Sequence, residues 1–241
     1  MLNMRQRHYY FIRHAIPLND AGSFHFSIFN KDMVGEINES LSNKGEQQAY
    51  LLKNTIQNLN IGCIISSSKK RAIETARIIS NETGIPFNHQ YKQLDEINIG
   101  MYSIQNDLLI RILSSNRWPG QIRKIYDQLL SISLTLYYFI QWRRGKTIGG
   151  ESLHVINQKI EEVLHILDSF SEERIAIVSH GGWISFLAVH VLGGSQWNFL
   201  KFSRVKNCSV TRIDSTGEGQ YHLRFFDRSM HDIGLHPEII K

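Results

Sequence analysis

Three segments of the chain place basic or imidazole side chains directly behind runs of apolar, strand-favouring residues. Tyr9-Tyr10-Phe11-Ile12 leads into Arg13-His14, and Cys63-Ile64-Ile65-Ser66-Ser67 leads into Ser68-Lys69-Lys70-Arg71. Arg174-Ile175-Ala176-Ile177-Val178-Ser179 leads into His180-Gly181-Gly182. Neutral imidazole can be a nucleophile toward phosphorus, and guanidinium groups stabilise charge on equatorial phosphoryl oxygens. The Gly181-Gly182 pair lets the backbone turn sharply and bares N–H groups at the start of the following helix, which suits an anion. Arg71 falls where a helix begins, a position mildly unfavourable for a cation against the helix dipole, so an anionic ligand explains its placement better. A lone histidine beside an arginine is usually structural. Two Arg, two His and a helix N-terminus converging on one edge instead make a pocket for a phosphoryl dianion. The leaving oxygen then needs a proton, which a carboxylic acid could supply.

The elements that must bring these groups together are readable from periodicity. The three runs above are expected as strands. Asn43 and Glu46, three apart, read as a capping box ahead of Ala49, Leu52, Ile56 and Leu59 at helical spacing. A second helix carries Ala72, Ala76 and Ile79 and ends near Gly84, with a short extended piece from Pro86 and Phe87. Glu151 to Phe170 presents a stripe of Leu153, Ile156, Ile160, Val163, Leu164 and Leu167, and an apolar helix follows His180-Gly181-Gly182 and runs to about Leu192. Ser209 to Ile213 and Tyr221 to Phe226 read as two final strands, with Gly217 and Gly219 in the turn. Strands alternating with helices predict an α/β fold, a three-layer α/β/α sandwich around a mostly parallel sheet, whose site lies outside the carboxyl ends of the strands. Residues from about Ser103 to Ile148 break the rhythm. They read as a largely helical insertion, although Leu130 to Leu136 alternates apolar and hydroxyl residues as a strand would.

Composition bounds the reading. The 241 residues suit a single domain over 1–241 with 103–148 inserted in it, and 42% hydrophobic residues are too many for a disordered chain. The net charge of +5 could favour nucleic acid, acidic lipid or a phosphorylated small molecule. The basic residues are scattered, and the dense clusters are Lys69-Lys70-Arg71 and Arg143-Arg144-Gly145-Lys146, so a nucleic-acid partner is not expected. Cys63 and Cys208 lie too far apart in sequence for a C-x-x-C pair and read as reduced thiols. No apolar stretch suggests a signal or a membrane span, so the expectation is a cytoplasmic protein without a membrane partner. No G-x-S-x-G elbow, H-E-x-x-H pair or P-loop is present, and no metal or other cofactor is expected.

Six motifs in order, and a late-strand segment after them, resemble those of the histidine phosphatase superfamily, in its phosphoglycerate mutase-like branch. Arg13-His14-Ala15 resembles an Arg-His-Gly signature, and Leu41-Ser42-Asn43-Lys44-Gly45-Glu46-Gln47-Gln48-Ala49 resembles Leu-Thr-x-x-Gly-x-x-Gln-Ala. Ser66-Ser67-Ser68-Lys69-Lys70-Arg71-Ala72-Ile73-Glu74-Thr75-Ala76 resembles Ser-Ser-Pro-x-x-Arg-Ala-x-x-Thr-Ala. Leu94-Asp95-Glu96-Ile97-Asn98-Ile99-Gly100 is similar to the segment carrying the family's acid, followed by Gly149-Gly150-Glu151-Ser152 and Val178-Ser179-His180-Gly181-Gly182. Asn207-Cys208-Ser209-Val210 resembles a late-strand pattern. The resemblance implies that His14 is the nucleophile, that Arg13 and Arg71 hold phosphoryl oxygens, that His180 donates to the phosphoryl group, and that Glu96 protonates the leaving oxygen. It implies no metal. The sequence departs from the pattern at Ala15, at Ser68 in place of Pro, at Ser103, and at Asp20, where an Asn is usual, leaving Asn19 as a weak substitute.

The Arg-His-Tyr that follows the acid in mutases of this length is replaced by Ile97-Asn98-Ile99. The expectation is therefore a metal-independent phosphomonoesterase acting on a small phosphorylated metabolite through a phosphohistidine. Mutase-type phosphoryl transfer and a noncatalytic phospho-ligand-binding module are the alternatives. The 103–148 insertion is expected to cap the pocket, with Arg143 and Arg144 favouring an acidic or multiply phosphorylated substrate, against the plainer reading of a solvated loop. A homo-oligomer is compatible with the sequence, which does not name the substrate.

Overall fold

The computed structural model describes residues 6–18, 38–98, 100, 133, 136–137, 139–147, 149–194, 198–202, 205–217, 219–229 and 232–233. Six strands form one sheet: β1 (Arg7–Arg13), β2 (Cys63–Ser67), β3 (Phe87–Tyr91), β4 (Arg174–Ser179), β5 (Val210–Ser215) and β6 (Tyr221–Arg228), in the spatial order β3-β2-β4-β1-β5-β6. β3, β2, β4 and β1 run parallel, while β5 and β6 are antiparallel additions. Helices among the described residues include α1 (Asn43–Asn58), α2 (Lys70–Thr83), α3 (Leu153–Asp168), α4 (Gly181–Val191) and the short α5 (Phe199–Phe202).

The parallel strands are apolar on both faces because helices cover both. Side chains alternate across a strand. Tyr10, Ile12, Ile64, Ala176 and Val178 therefore pack with Ala49, Leu52 and Ile56 of α1 and Ala72, Ala76 and Ile79 of α2. On the other face Phe11 stacks on Trp183 of α4 with ring centroids 5.5 Å apart, and the Tyr9 hydroxyl donates to Asp168 at the end of α3.

One local reading is corrected and one is met. The cap of α1 is Ser42, whose hydroxyl accepts from Gly45 N–H at 3.1 Å, so Asn43 is the first helical residue and no capping box with Glu46 forms. Ser42 also donates to the Ile16 carbonyl, and that second anchor selects it over Asn43. Gly84 closes α2 in the left-handed region, at φ 72°, which glycine adopts without steric cost.

The chain divides into two compact units, one of Met1–Phe24, Asn38–Glu96 and Ile156–Lys241, the other of His25–Ile37 and Ile97–Val155. The first contains the sheet. In the second, Glu151 and Asn98 exchange bonds: Glu151 N–H donates to Asn98 O at 2.6 Å, and the Glu151 carboxylate accepts from Asn98 N–H at 2.9 Å. Trp142 Nε1 donates to Glu151 O at 2.8 Å. Most of the 103–148 insertion lies outside the described residues. Those described from Ser133 to Arg143 are helical, which is against the strand-like alternation of Leu130 to Leu136 where that stretch overlaps them. Among the described residues no helix is long and apolar enough to cross a membrane.

Candidate active site

The register of the central strands decides which side chains meet. β1 and β4 are adjacent, with Arg13 opposite Ser179, so the next residues, His14 and His180, leave the sheet together. Their ring centroids are 5.1 Å apart. β2 flanks β4 on its other side and delivers Ser67, and α2 begins three residues later and carries Arg71. Arg13, His14, Arg71, Glu96, His180 and Gly181 all belong to the sheet-bearing unit.

Hydrogen-bond partners assign the tautomers of both imidazoles. His14 Nδ1 is 2.8 Å from the Ala15 carbonyl oxygen, which can only accept, so Nδ1 carries the proton. Arg71 Nε donates at 3.1 Å to His14 Nε2, which therefore presents a lone pair. Arg71 Nη2 lies 3.2 Å from His180 Nδ1, making that nitrogen the acceptor. His180 Nε2–H then donates to Ser67 Oγ at 2.7 Å. One guanidinium thus bridges two buried imidazoles, 4% and 0% exposed. Burial first, then the charges of Arg71 and Arg13, holds His14 well below the ordinary imidazole range. Burial, then His14, Arg71 and Arg13, does the same for His180. Both rings are neutral in the resting protein. Burial also lowers the Arg71 guanidinium, an effect opposed chiefly by the Glu96 carboxylate.

The backbone around the histidine is held from the β5 side. Asn207 Nδ2 donates to His14 O and Cys208 N–H to Arg13 O, both at 2.9 Å, while Arg13 N–H donates to Ser209 O at 3.2 Å. The Arg13 side chain donates from Nη1 to Val205 O at 2.5 Å and lies along Gly181, where an added Cβ would meet Nε at 3.4 Å. Cys208 takes a left-handed φ of 58° in this turn. Ala15 does not have positive φ, so the side chain that replaces glycine there is accommodated; its N–H donates to Thr75 Oγ1 at 3.1 Å.

Glu96 reaches the start of α4, where Oε1 accepts from Trp183 N–H at 3.2 Å. A Cβ on Gly182 would come within 2.7 Å of that oxygen, so the second glycine of the pair makes room for the carboxylate. Asn19 lies outside the described residues. Arg143 and Arg144 are exposed at the end of a helical stretch in the second unit. Ser67, Asn207 and Trp183 were not singled out from sequence as site residues. Ser67 and Asn207 stand inside matched motifs, but only the register shows that one meets His180 and the other the His14 carbonyl. Among the described residues no group of three or more His, Cys, Asp or Glu side chains is arranged to hold a metal ion.

The arrangement can present an unprotonated imidazole nitrogen to phosphorus, set guanidinium N–H groups beside the phosphoryl oxygens, and supply a carboxyl group for proton transfer; the expected donation from His180 to the phosphoryl group is not available in this tautomer, whose one N–H goes to Ser67. Comparison with known proteins agrees with this geometry at the level of family. The chain is 27% identical over 206 residues to a protein named "Probable phosphoglycerate mutase GpmB" of Erwinia tasmaniensis, covering 85% of this chain and 83% of the relative. It is 29% identical over 182 residues to the protein of the same name from Salmonella typhi, covering 75% of each. Among solved structures, mycobacterial glucosyl-3-phosphoglycerate phosphatase superposes with a TM-score of 0.65 at 20% identity, over 93% of this chain and 100% of that one. The alpha-ribazole phosphatase of Shigella flexneri superposes at 0.64 and 20% identity, over 92% of this chain and 96% of that one. The sequence profile of the histidine phosphatase superfamily, branch 1, matches residues 9–112 and 133–228, and the chain belongs to that superfamily.

Proposed function

We propose that the protein is a metal-independent phosphomonoesterase that hydrolyses a small phosphorylated metabolite through a phosphohistidine on His14. The observation that carries the reading is the unprotonated Nε2 of His14, fixed by the Nδ1–H bond to Ala15 O and by the hydrogen bond that Nε2 accepts from Arg71. In the first step the Nε2 lone pair forms a bond to phosphorus and the P–O ester bond breaks. The ester oxygen takes the proton of the Glu96 carboxylic acid and leaves as an alcohol. In the second step a water molecule gives a proton to the Glu96 carboxylate as its oxygen bonds to phosphorus. The P–N bond breaks, His14 recovers its lone pair, and inorganic phosphate departs. Arg13 and Arg71 stabilise the equatorial oxygens in both steps with their positive charge, and His180 donates to them in the tautomer that carries the proton on Nδ1, its Nε2 then accepting from the Ser67 hydroxyl.

Phosphatases among the structural neighbours are compatible with hydrolysis, while the names of the sequence relatives favour a second reading, transfer between positions of a phosphoglycerate. Against the latter stands Ile97-Asn98-Ile99, which offers no cation for a substrate carboxylate. Arg143 and Arg144 would favour an acidic or multiply phosphorylated substrate. Phosphate release from 4-nitrophenyl phosphate and a panel of phosphorylated metabolites, in the presence of a chelator and beside His14→Ala, tests the proposal. Chelator-resistant release that disappears in His14→Ala is expected. Interconversion of phosphoglycerates without phosphate release would select the mutase, and affinity without turnover a binding module.

A further inference from the structure

The four residues leading up to and including Glu96 are each tied to a different group of the strand-end elements. Gln93 O accepts from Trp183 Nε1 at 2.8 Å, and Leu94 O accepts from Ser179 Oγ at 2.8 Å. Glu96 Oε1 accepts from Trp183 N–H. Between them, the Asp95 carboxylate accepts from Ser68 twice: from its N–H at 2.8 Å and from its hydroxyl, at 2.9 Å to Oδ1 and 2.7 Å to Oδ2. Lys69 Nζ adds a longer ionic contact at 3.9 Å.

Ser68 is where this chain departs from the Pro of the pattern it otherwise resembles. Proline has neither an N–H nor a hydroxyl, so neither bond to Asp95 could form with it. The clasp joins the turn before α2, which carries Arg71, to the residue preceding the acid. A charged acceptor with three donor contacts makes a stiff joint, because bonds to ionised groups are shorter and stronger than neutral ones. Sub-ångström placement of a proton donor governs its efficiency.

We propose that Ser68 and Asp95 are positioning residues that set the Glu96 carboxyl for protonation of the leaving oxygen. The proposal rests on the reading of Glu96 as the general acid. General acid catalysis matters for a basic alkoxide leaving group and little for a nitrophenolate. Misplacing the acid therefore acts on one substrate class, whereas damage to the fold or to phosphate binding acts on both.

The test compares kcat/KM for a glycerol phosphate and for 4-nitrophenyl phosphate in Asp95→Ala, Ser68→Ala, Asp95→Asn and Glu96→Gln. Asp95→Ala is expected to lose about tenfold or more on the alkyl ester relative to the aryl ester, at the lower range of what a general acid contributes. Ser68→Ala, which keeps the N–H donor, shifts the ratio in the same direction but less, and Asp95→Asn restores part of it. If Asp95→Ala does not fold, as judged by its thermal transition, Ser68→Ala decides alone. Equal losses on both esters, or none, in Asp95→Ala and Ser68→Ala while Glu96→Gln shows the split would overturn the clasp and leave the acid assignment standing. Equal losses in Glu96→Gln as well would overturn both.

Discussion

Acidification below neutrality should weaken the folded state through His14 and His180 specifically. Both are neutral and buried in the folded chain, with pKa values driven below the ordinary 6.5 by burial and neighbouring charge. In the unfolded chain each takes up a proton near 6.5. As pH falls below that value the unfolded state binds more protons than the native state, so stability falls with pH until the folded histidines themselves protonate. Each histidine contributes a limiting slope of about 1.4 kcal/mol per pH unit, which over the interval from about pH 7.5 to about pH 5 sets a ceiling of roughly 2 kcal/mol each. That is a large share of the roughly 5–15 kcal/mol available to a domain. His190, half-buried and also depressed by burial, adds in the same direction, so the comparison must be made between variants. The acid cluster acts elsewhere. Burial opposes ionisation of Asp214, but bonds from His8, Arg212 and Arg224 outweigh it and hold its carboxyl below 3.8, so its contribution is lost only at more acidic pH. Urea unfolding followed by tryptophan fluorescence across this interval, for the natural chain and for His14→Asn and His180→Asn, measures the effect. Each substitution should flatten the pH dependence, by up to about 2 kcal/mol over the interval. A pH dependence unchanged in His14→Asn would mean that the imidazole takes up protons alike in the folded and unfolded chains, so that its surroundings do not hold it neutral; a steeper dependence would mean that it is protonated in the folded chain, and the nucleophile argument would fail with it.

Two further outcomes follow from particular contacts. Gly182→Ala puts a Cβ within 2.7 Å of Glu96 Oε1. The carboxylate can swing away while the helix gains about 1 kcal/mol of propensity, so thermal stability should hold as alkyl phosphatase activity falls more than tenfold; full activity in this variant would show that the carboxylate position does not matter. Tyr10→Phe removes a fully buried hydroxyl that has no hydrogen-bond partner among the described residues. It should raise the urea midpoint, by about 1 kcal/mol in stability, since an unmade buried bond costs its desolvation; a fall of that size would point to a function for the hydroxyl.

The strand ends and the residues just beyond them were readable because buried parallel strands are short continuous apolar runs, and the site chemistry begins where they stop. β2 and β4 match the segments read from sequence, and β1 extends its segment slightly at both ends. The antiparallel placement of β5 against β1 was not readable, since strand direction depends on connections that span a long, irregular stretch. The cap of α1 was misread by one residue because Ser42 and Asn43 are both good caps, and only the Ile16 carbonyl distinguishes them. The support around the site was hidden for a related reason. Ser67, Ser68, Asp95 and Asn207 act across 27 to 193 residues of chain, and long-range polar contacts leave no periodic signal in sequence.

The most direct measurement is identification of the covalent intermediate. The protein is mixed with 4-nitrophenyl phosphate in the presence of a chelator, quenched in alkali and digested, and the peptide spanning Arg7–Arg13 and His14 is sequenced by mass spectrometry. A phosphoryl group on His14 that is stable in alkali, labile in acid and formed at the rate of nitrophenolate release is required by the mechanism. Phosphate release with no modification of His14, or undiminished release by His14→Ala, would contradict it.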